Sequence, residues 1–261
     1  MRLELLYNPG LLCERLAIAV ARRRRLSSLK GTPAASLALG HIDTLELLEI
    51  ARQAGIRVIY DIGANVGTWS LLAKSLIPGA SVHAFEPLAK HQTEFVRNFS
   101  GGANVTLHPV AVGSAHATET FHITDFSDAS SLLQPNETSR SHFGVQEVEQ
   151  VSIQVVRLDD YRRKRQLAFP DLIKLDIQGF ELEALKGAPE CLRSAKAVIA
   201  EVSFIEYYER QCFFHDLVAH LAQYELFLRA FGVNTPTGKS LGQTDVLFMR
   251  GIGSGREEGK I

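Results

Sequence analysis

Residues Val58 to Leu72 read VIYDIGANVGTWSLL, and this stretch limits the fold of the chain more than any other. A short apolar run (Val58, Ile59, Tyr60) ends in a carboxylate, Asp61. Gly63, Ala64, Asn65 and Gly67 follow, and then apolar residues at helical spacing. Strand, glycine-rich turn and helix, in that order, open a nucleotide-binding α/β unit. Gly63 allows close approach of the backbone to a ligand, with no Cβ in the way. Gly67 allows the helix to pack close to the strand. Asp61 places an acceptor beside the turn, which favours a cationic amine or sulfonium and disfavours a phosphate.

A second carboxylate narrows the ligand. Ser81 to Phe85 reads as the next strand, and Glu86 stands at its C-terminal end before Pro87. A carboxylate about 20 residues beyond the glycines, at the tip of the second strand, is placed to hold a ribose diol. Its two oxygens accept from both sugar hydroxyls. A dinucleotide fingerprint wants G-x-G-x-x-G and a helix N-terminus free to take a pyrophosphate. The pattern here is D-x-G-x-N-x-G, with one glycine fewer and an acid before it. It favours S-adenosylmethionine over NAD. An NAD-dependent oxidoreductase and a non-catalytic nucleoside-binding module are the alternatives, and a bare βα turn would explain the glycines taken alone.

The totals fit a globular protein. The 261 residues are 46% hydrophobic and 22% charged, enough for one α/β domain with additions. A net charge of -1 gives no global field to attract nucleic acid or lipid. Cys13, Cys191 and Cys212 are scattered, a pattern of buried thiols in a reducing compartment. Glu14 and Arg15 interrupt the first apolar stretch, so it does not read as a signal peptide. No run reaches the roughly 18 apolar residues that span a bilayer. The expected location is cytoplasmic.

Strands and helices alternate from Val58 onward, which predicts a mostly parallel sheet with helices on both faces and ligands at the carboxyl ends of its strands. Expected strands are Val58–Tyr60, Val82–Phe85, Val105–Leu107, Val151–Leu158, Leu172–Asp176, Ala197–Glu201, Leu226–Ala230 and Asp245–Arg250, the last antiparallel. Phe121 to Gln150 is polar and reads as a long loop, the kind that serves as a lid. Residues 1–56 are expected to be an N-terminal helical extension, with helices over Leu11–Leu26 and Thr44–Ala54 and Asp43 as the second N-cap. Arg22 to Arg25 complement a helix C-terminus. They also read as a basic surface for an anionic lipid at a membrane, a polyphosphate-linked substrate or a partner. Residues 251–261 read as a frayed tail.

A second run carries chemistry: Lys174-Leu-Asp176-Ile-Gln178-Gly179-Phe-Glu181. Asp176 ends a buried strand on the same rim as Asp61 and Glu86. Lys174, inside that apolar strand, needs a partner, and Asp176 faces the same side. Glu181 suits the first turn of the following helix. With these residues in view the chain resembles the FkbM family of S-adenosylmethionine-dependent methyltransferases. The resemblance rests on Asp61 to Gly67, Phe85-Glu86-Pro87, Val105-Thr-Leu to Ala111-Val-Gly113, Lys174 to Glu181, Leu185-Lys-Gly187-Ala188 and Glu201, and covers residues 57–250. Gln178 departs from it, since the family more often has Glu there.

The resemblance implies a class I, Rossmann-like methyltransferase fold with a seven-stranded sheet. It also implies methyl transfer to a hydroxyl of a sugar, polyketide or other secondary metabolite. Gly63, Ala64, Asn65 and Gly67 would contact the methionine part of S-adenosylmethionine, with Asp61 near its amino group. Glu86 would hold the ribose, Val110 and Ala111 would lie near the adenine, and Asp176 close to the methyl. An alcohol acceptor needs a base. Asp176 is the first candidate, ahead of His108 and His122. A metal-assisted version would place Mg²⁺ between Asp176 and Glu201.

Overall fold

The computed structural model describes residues 20, 23–99, 104–237 and 240–251. A seven-stranded sheet runs through it in the order β3-β2-β1-β7-β8-β10-β9. These strands are β1 (Val58–Ile62), β2 (Ser81–Phe85), β3 (Val105–His108), β7 (Leu172–Leu175), β8 (Ala197–Ser203), β9 (Leu226–Thr237) and β10 (Ser240–Arg250). A smaller sheet of β4 (Ala111–Val112), β5 (Ala117–Thr124) and β6 (Glu147–Val156) has the order β4-β6-β5. In the large sheet, β10 is antiparallel to both neighbours, as expected for the last strand. The order reverses between β2-β1 and β7, which is where a doubly wound sheet opens a crevice for a ligand.

Alternation along the strands assigns each side chain to a face. Tyr60, Ile62, Ile173, Leu175 and Val198 meet α5 (Leu158–Arg165), α6 (Glu181–Lys186), α7 (Pro189–Ser194) and α8 (Phe214–Ala222), with Leu158, Leu185, Leu192 and Leu217 buried among them. Ile59, Leu172, Ile199 and Leu247 point to the other face. There Trp69 and Leu72 of α2 (Thr68–Leu76) pack with Leu29, Ile42, Leu47 and Leu48. The last four belong to the segment before β1, which contains α1 (Leu45–Ala51). From Leu29 onward this segment is therefore part of one face of the core.

Several local expectations are revised. The α1 N-cap is Thr44, not Asp43, which instead approaches Arg25 at 3.8 Å. Arg25 also pairs with Glu46 at 2.6 Å, so one arginine of the basic run serves the core's edge. The helix expected over Leu11–Leu26 lies mostly outside the described residues, of which 23–28 are helical. The tail beyond residue 251 lies outside them as well. The region from Phe121 to Gln150 is not one long loop. It holds the end of β5, α4 (Glu137–Phe143) and the start of β6. Asn136 caps α4 by accepting from the Ser139 N–H at 3.1 Å. Among the described residues no helix is long and apolar enough to cross a membrane.

The turn after β1 is fixed by neighbouring chain. Gly63 has φ +83°, and a Cβ there would lie 2.0 Å from the Asp176 carbonyl oxygen. Gly67 has φ +89°, and its Cβ would meet the rings of Phe95 and Phe99 at 2.6–2.9 Å. The turns after β1 and β7 can touch only because residue 63 has no side chain. Gly63→Ala is expected to lower stability by about 3 kcal/mol or more, from overpacking added to left-handed strain. Urea unfolding measures it, and wild-type stability would show that the two turns do not need to touch.

Candidate active site

The carboxyl ends of the parallel strands open on a cavity of about 700 Å³. That is within the range of small-molecule sites. Gly63, Ala64, Asn65, Glu86, Val110 and Ala111 line one half of it. Asp176, Glu201, Tyr207, Tyr208 and Asp245 line the other, with Asp43 from the segment before α1.

In the first half Glu86 is nearly buried, at 4% exposure. Its Oε2 accepts from the Asn65 N–H at 3.0 Å. Its Oε1 accepts from the Leu88 N–H at 2.9 Å and faces His91 Nδ1 at 3.3 Å. Asn65 is left-handed, with φ 49°, which turns its N–H toward Glu86. Oε2 keeps lone-pair capacity for a hydroxyl donor. Asp61 lies fully buried below this surface and is not among the cavity-lining residues. Ser70 Oγ donates to its Oδ2 at 2.6 Å, and its Oδ1 has no hydrogen-bond partner. Burial raises its pKa against the pull of Lys174.

The strand register explains the charges of the second half. Asp61 is the rung partner of Lys174, and Glu201 that of Asp245. All four side chains, with Asp176, point to the α2 face. Lys174 is 3% exposed and donates to Asp176 Oδ2 at 3.0 Å, with Asp61 Oδ1 at 4.0 Å. Burial alone would lower its pKa, but the Asp176, Asp61 and Asp245 charges outweigh that and keep the ammonium protonated. Burial, with Asp176 and Asp245 beside it, pushes the Glu201 carboxyl well above the usual range.

Gln178, left-handed at φ 55°, connects the second half. Its Nε2 donates to Asp176 Oδ1 and to Glu201 Oε2, each at 2.8 Å. Its Oε1 accepts from the Tyr208 hydroxyl at 3.0 Å. Glu201 Oε1 accepts from Gln243 Nε2 at 2.7 Å. A divalent cation does not fit between Asp176 and Glu201, because the Gln178 amide presents N–H donors there and cations of this kind take oxygen ligands. Among the described residues no three His, Cys, Asp or Glu side chains gather to hold a metal.

Glu181 braces the same turn from behind. At 2% exposure, its Oε1 accepts from the Ile177 N–H at 3.0 Å and the Gly179 N–H at 3.2 Å. Burial pushes its pKa to about 7. His108 and His122 are not among the cavity-lining residues. His108 stacks on Phe85 with ring centroids 4.7 Å apart, and burial lowers its pKa to about 4. His122 pairs with Glu147 at 2.6 Å in the small sheet. His91, Tyr208 and Asp245 were not singled out from sequence. His91 stands five residues after Glu86, in the first turn of α3 (Ala89–Asn98).

The segment from Phe126 to Ser131 joins the two halves. Asp128 Oδ1 accepts from Asn65 Nδ2 at 2.9 Å, and Ser127 Oγ faces His91 Nε2 at 2.9 Å. On the other side, the Tyr208 hydroxyl lies 2.9 Å from the Ala129 carbonyl oxygen, sharing its single proton between that oxygen and Gln178 Oε1, and Ser131 Oγ donates to the Gln178 carbonyl at 2.9 Å.

A sheet of this order, with a cavity at its switch point and a carboxylate at the tip of β2, defines a class I S-adenosylmethionine-dependent methyltransferase. Within that class the chain belongs to the family of the methyltransferase FkbM domain, whose model matches residues 61–231. It is similar to the 2-O-methyltransferase NoeI of Sinorhizobium fredii, 27% identical over 65% of this chain and 72% of that protein. It is also similar to the hexuronic acid methyltransferase AglP of Haloferax volcanii, 28% identical over 56% of this chain and 55% of that one. The 31-O-demethyl-FK506 methyltransferase FkbM of Streptomyces tacrolimicus is 26% identical over 67% of this chain and 72% of its own. Among solved structures, the magnesium protoporphyrin IX methyltransferase of Synechocystis PCC 6803 aligns with TM-score 0.46 and 14% identity, over 81% of this chain and 80% of that one.

Lys174→Met removes the cation that Asp61 and Asp176 share. It is expected to cost about 3–5 kcal/mol, because Asp61 is left buried without its counter-charge. Denaturant unfolding of the two proteins checks this, and a loss under 1 kcal/mol would show that the carboxylates do not depend on Lys174.

Proposed function

We propose that the chain transfers a methyl group to a hydroxyl of a sugar or another polyhydroxylated metabolite. The observation that carries this is the second half of the cavity, where Asp176, with a side chain 38% exposed, stands on the methyl-transfer rim among further hydrogen-bonding groups. A row of acceptors suits a ligand rich in hydroxyl donors. The printed activities of the relatives agree in kind: a 2-O-methyltransferase, a hexuronic acid methyltransferase and a 31-O-demethyl-FK506 methyltransferase.

In this reading the first half holds the donor. Glu86 Oε2 takes a ribose hydroxyl, the turn of Gly63, Ala64 and Asn65 faces the methionine part, and Val110 and Ala111 flank the adenine; Gly67, packed on Phe95 and Phe99, is not among the cavity-lining residues. Asp61 acts from beneath the turn, through the negative field of its carboxylate. S-adenosylmethionine supplies, when bound, an already activated methyl; the acceptor oxygen gains the O–C bond and the C–S electron pair stays on sulfur. The protein's task is alignment and removal of the hydroxyl proton. Asp176 receives the acceptor hydroxyl and fixes its direction, itself held by Lys174 and Gln178. No step needs a metal at these residues, given the Gln178 amide between the carboxylates.

Two outcomes are expected. Glu86→Ala weakens S-adenosylhomocysteine binding by about 1–3 kcal/mol in calorimetry, from a lost charge-assisted contact; unchanged affinity would remove the ribose assignment. Asp176→Asn lowers turnover in a radiolabelled methyl assay over glycosides and polyketide alcohols while S-adenosylhomocysteine affinity stays within a few-fold. Normal turnover would take Asp176 out of the mechanism.

A further inference from the structure

Six carboxylates line the cavity: Asp43, Glu86, Asp128, Asp176, Glu201 and Asp245. Five have a partner within the protein. Asp43 approaches Arg25, Glu86 accepts from Asn65 and Leu88, and Asp128 accepts from Asn65. Asp176 accepts from Lys174 and Gln178, and Glu201 from Gln178 and Gln243. For Asp245, no described residue donates to the carboxylate. It lies beside Glu201 on the sheet, on the face and rim of Asp176, in the half of the cavity away from Glu86. Its half-buried carboxylate faces the cavity with both oxygens open to a hydroxyl donor of the ligand.

We propose that Asp245 is the catalytic base: its carboxylate takes the proton of the acceptor hydroxyl that Asp176 orients. This rests on the O-methylation reading above. As the new O–C bond forms, the O–H bond breaks, its electron pair stays on the acceptor oxygen and the proton passes to a carboxylate oxygen of Asp245. The neutral ether and a protonated Asp245 result, and the proton is lost to solvent before the next turnover. Asp176 is the poorer proton acceptor of the two, because each of its oxygens already receives a hydrogen bond, one from an ammonium. Asp245 has both oxygens available.

The surroundings tune it to this task. Lys174 and Asp176 on β7, Glu201 on β8 and Asp43 on the segment before α1 face it, with His41 and Arg25 near Asp43. Burial first, then the Asp176 charge, raises its pKa to about 7, against the opposing pull of Lys174. A base of that strength is near the optimum for proton transfer at neutral pH.

The test uses the full chain, radiolabelled S-adenosylmethionine and a panel of methyl glycosides and polyketide alcohols. The wild-type rate is expected to fall about tenfold per pH unit below an inflection near 7, because the protonated carboxyl cannot accept. Asp245→Asn should lose that inflection and about 10²-fold or more of kcat, with S-adenosylhomocysteine affinity in calorimetry within twofold. Asp176→Asn should be slow yet still show an inflection, moved to lower pH because the Asp176 charge that raises Asp245 is gone. Asp43→Asn removes a neighbouring negative charge, leaves Asp245 in place and should move the inflection down, which keeps the idea testable if Asp245→Asn does not fold. An Asp245→Asn enzyme with wild-type rate and pH profile overturns the role of Asp245 and leaves the methyltransferase reading standing. No labelled product from any acceptor with the wild type overturns that reading and this proposal with it.

Discussion

A buried ammonium organises this site. Lys174 sits in a strand whose four residues are all buried, where an unpaired charge would cost several kcal/mol. It is therefore tied to carboxylates from two strands, Asp61 on β1 and Asp176 just after β7. Both lie on the face covered by α2 and the segment before α1, so Lys174 also fixes which face carries charge. The contact of Gly63 with the Asp176 carbonyl brings the two turns together at the same point. The two halves of the cavity meet over this pair of turns.

How much of this could be read from sequence depended on whether the signal was local. Asp61 to Gly67, Glu86 and Lys174 to Glu181 are short motifs at strand ends, and each stands where strand-helix alternation places it. The reason assigned to Gly63 changed: the backbone it admits is that of the turn after β7, because Asp176 is more than 100 residues away in the chain. The reason for Gly67 changed too, from strand packing to the rings of Phe95 and Phe99. Asp245 was missed for a topological reason. Ligands sit at the carboxyl ends of parallel strands, but β10 runs the other way, so residues toward its amino end reach the same rim. The antiparallel direction expected for the last strand places Asp245, at the start of the expected Asp245–Arg250 run, on the rim that the parallel strands reach with their carboxyl ends.

The region from Phe121 to Gln150 misled for a different reason. β5 and β6 pair as antiparallel strands, and Thr118, Glu119 and Thr120 are exposed, on both faces of β5. Short apolar stretches diluted by polar residues give little periodic signal. α4 has only seven residues, ETSRSHF, with no apolar stripe. α7, omitted from the sequence reading, did carry a recognisable start in Pro189 at its first turn.

The polar stretch nevertheless acts at the site through Phe126 to Ser131. On one side it reaches Asn65 and His91, which also contact Glu86; on the other it reaches Tyr208 and Gln178, of which Gln178 bonds both Asp176 and Glu201. Ser131 is further tied to β5 by two backbone hydrogen bonds with His122, at 2.8 and 3.1 Å. A rim assembled from β1, β2, β7, β8 and β10 supplies the fixed groups. Phe126 to Ser131, bonded to residues of both halves, ties the geometry of one half of the rim to that of the other.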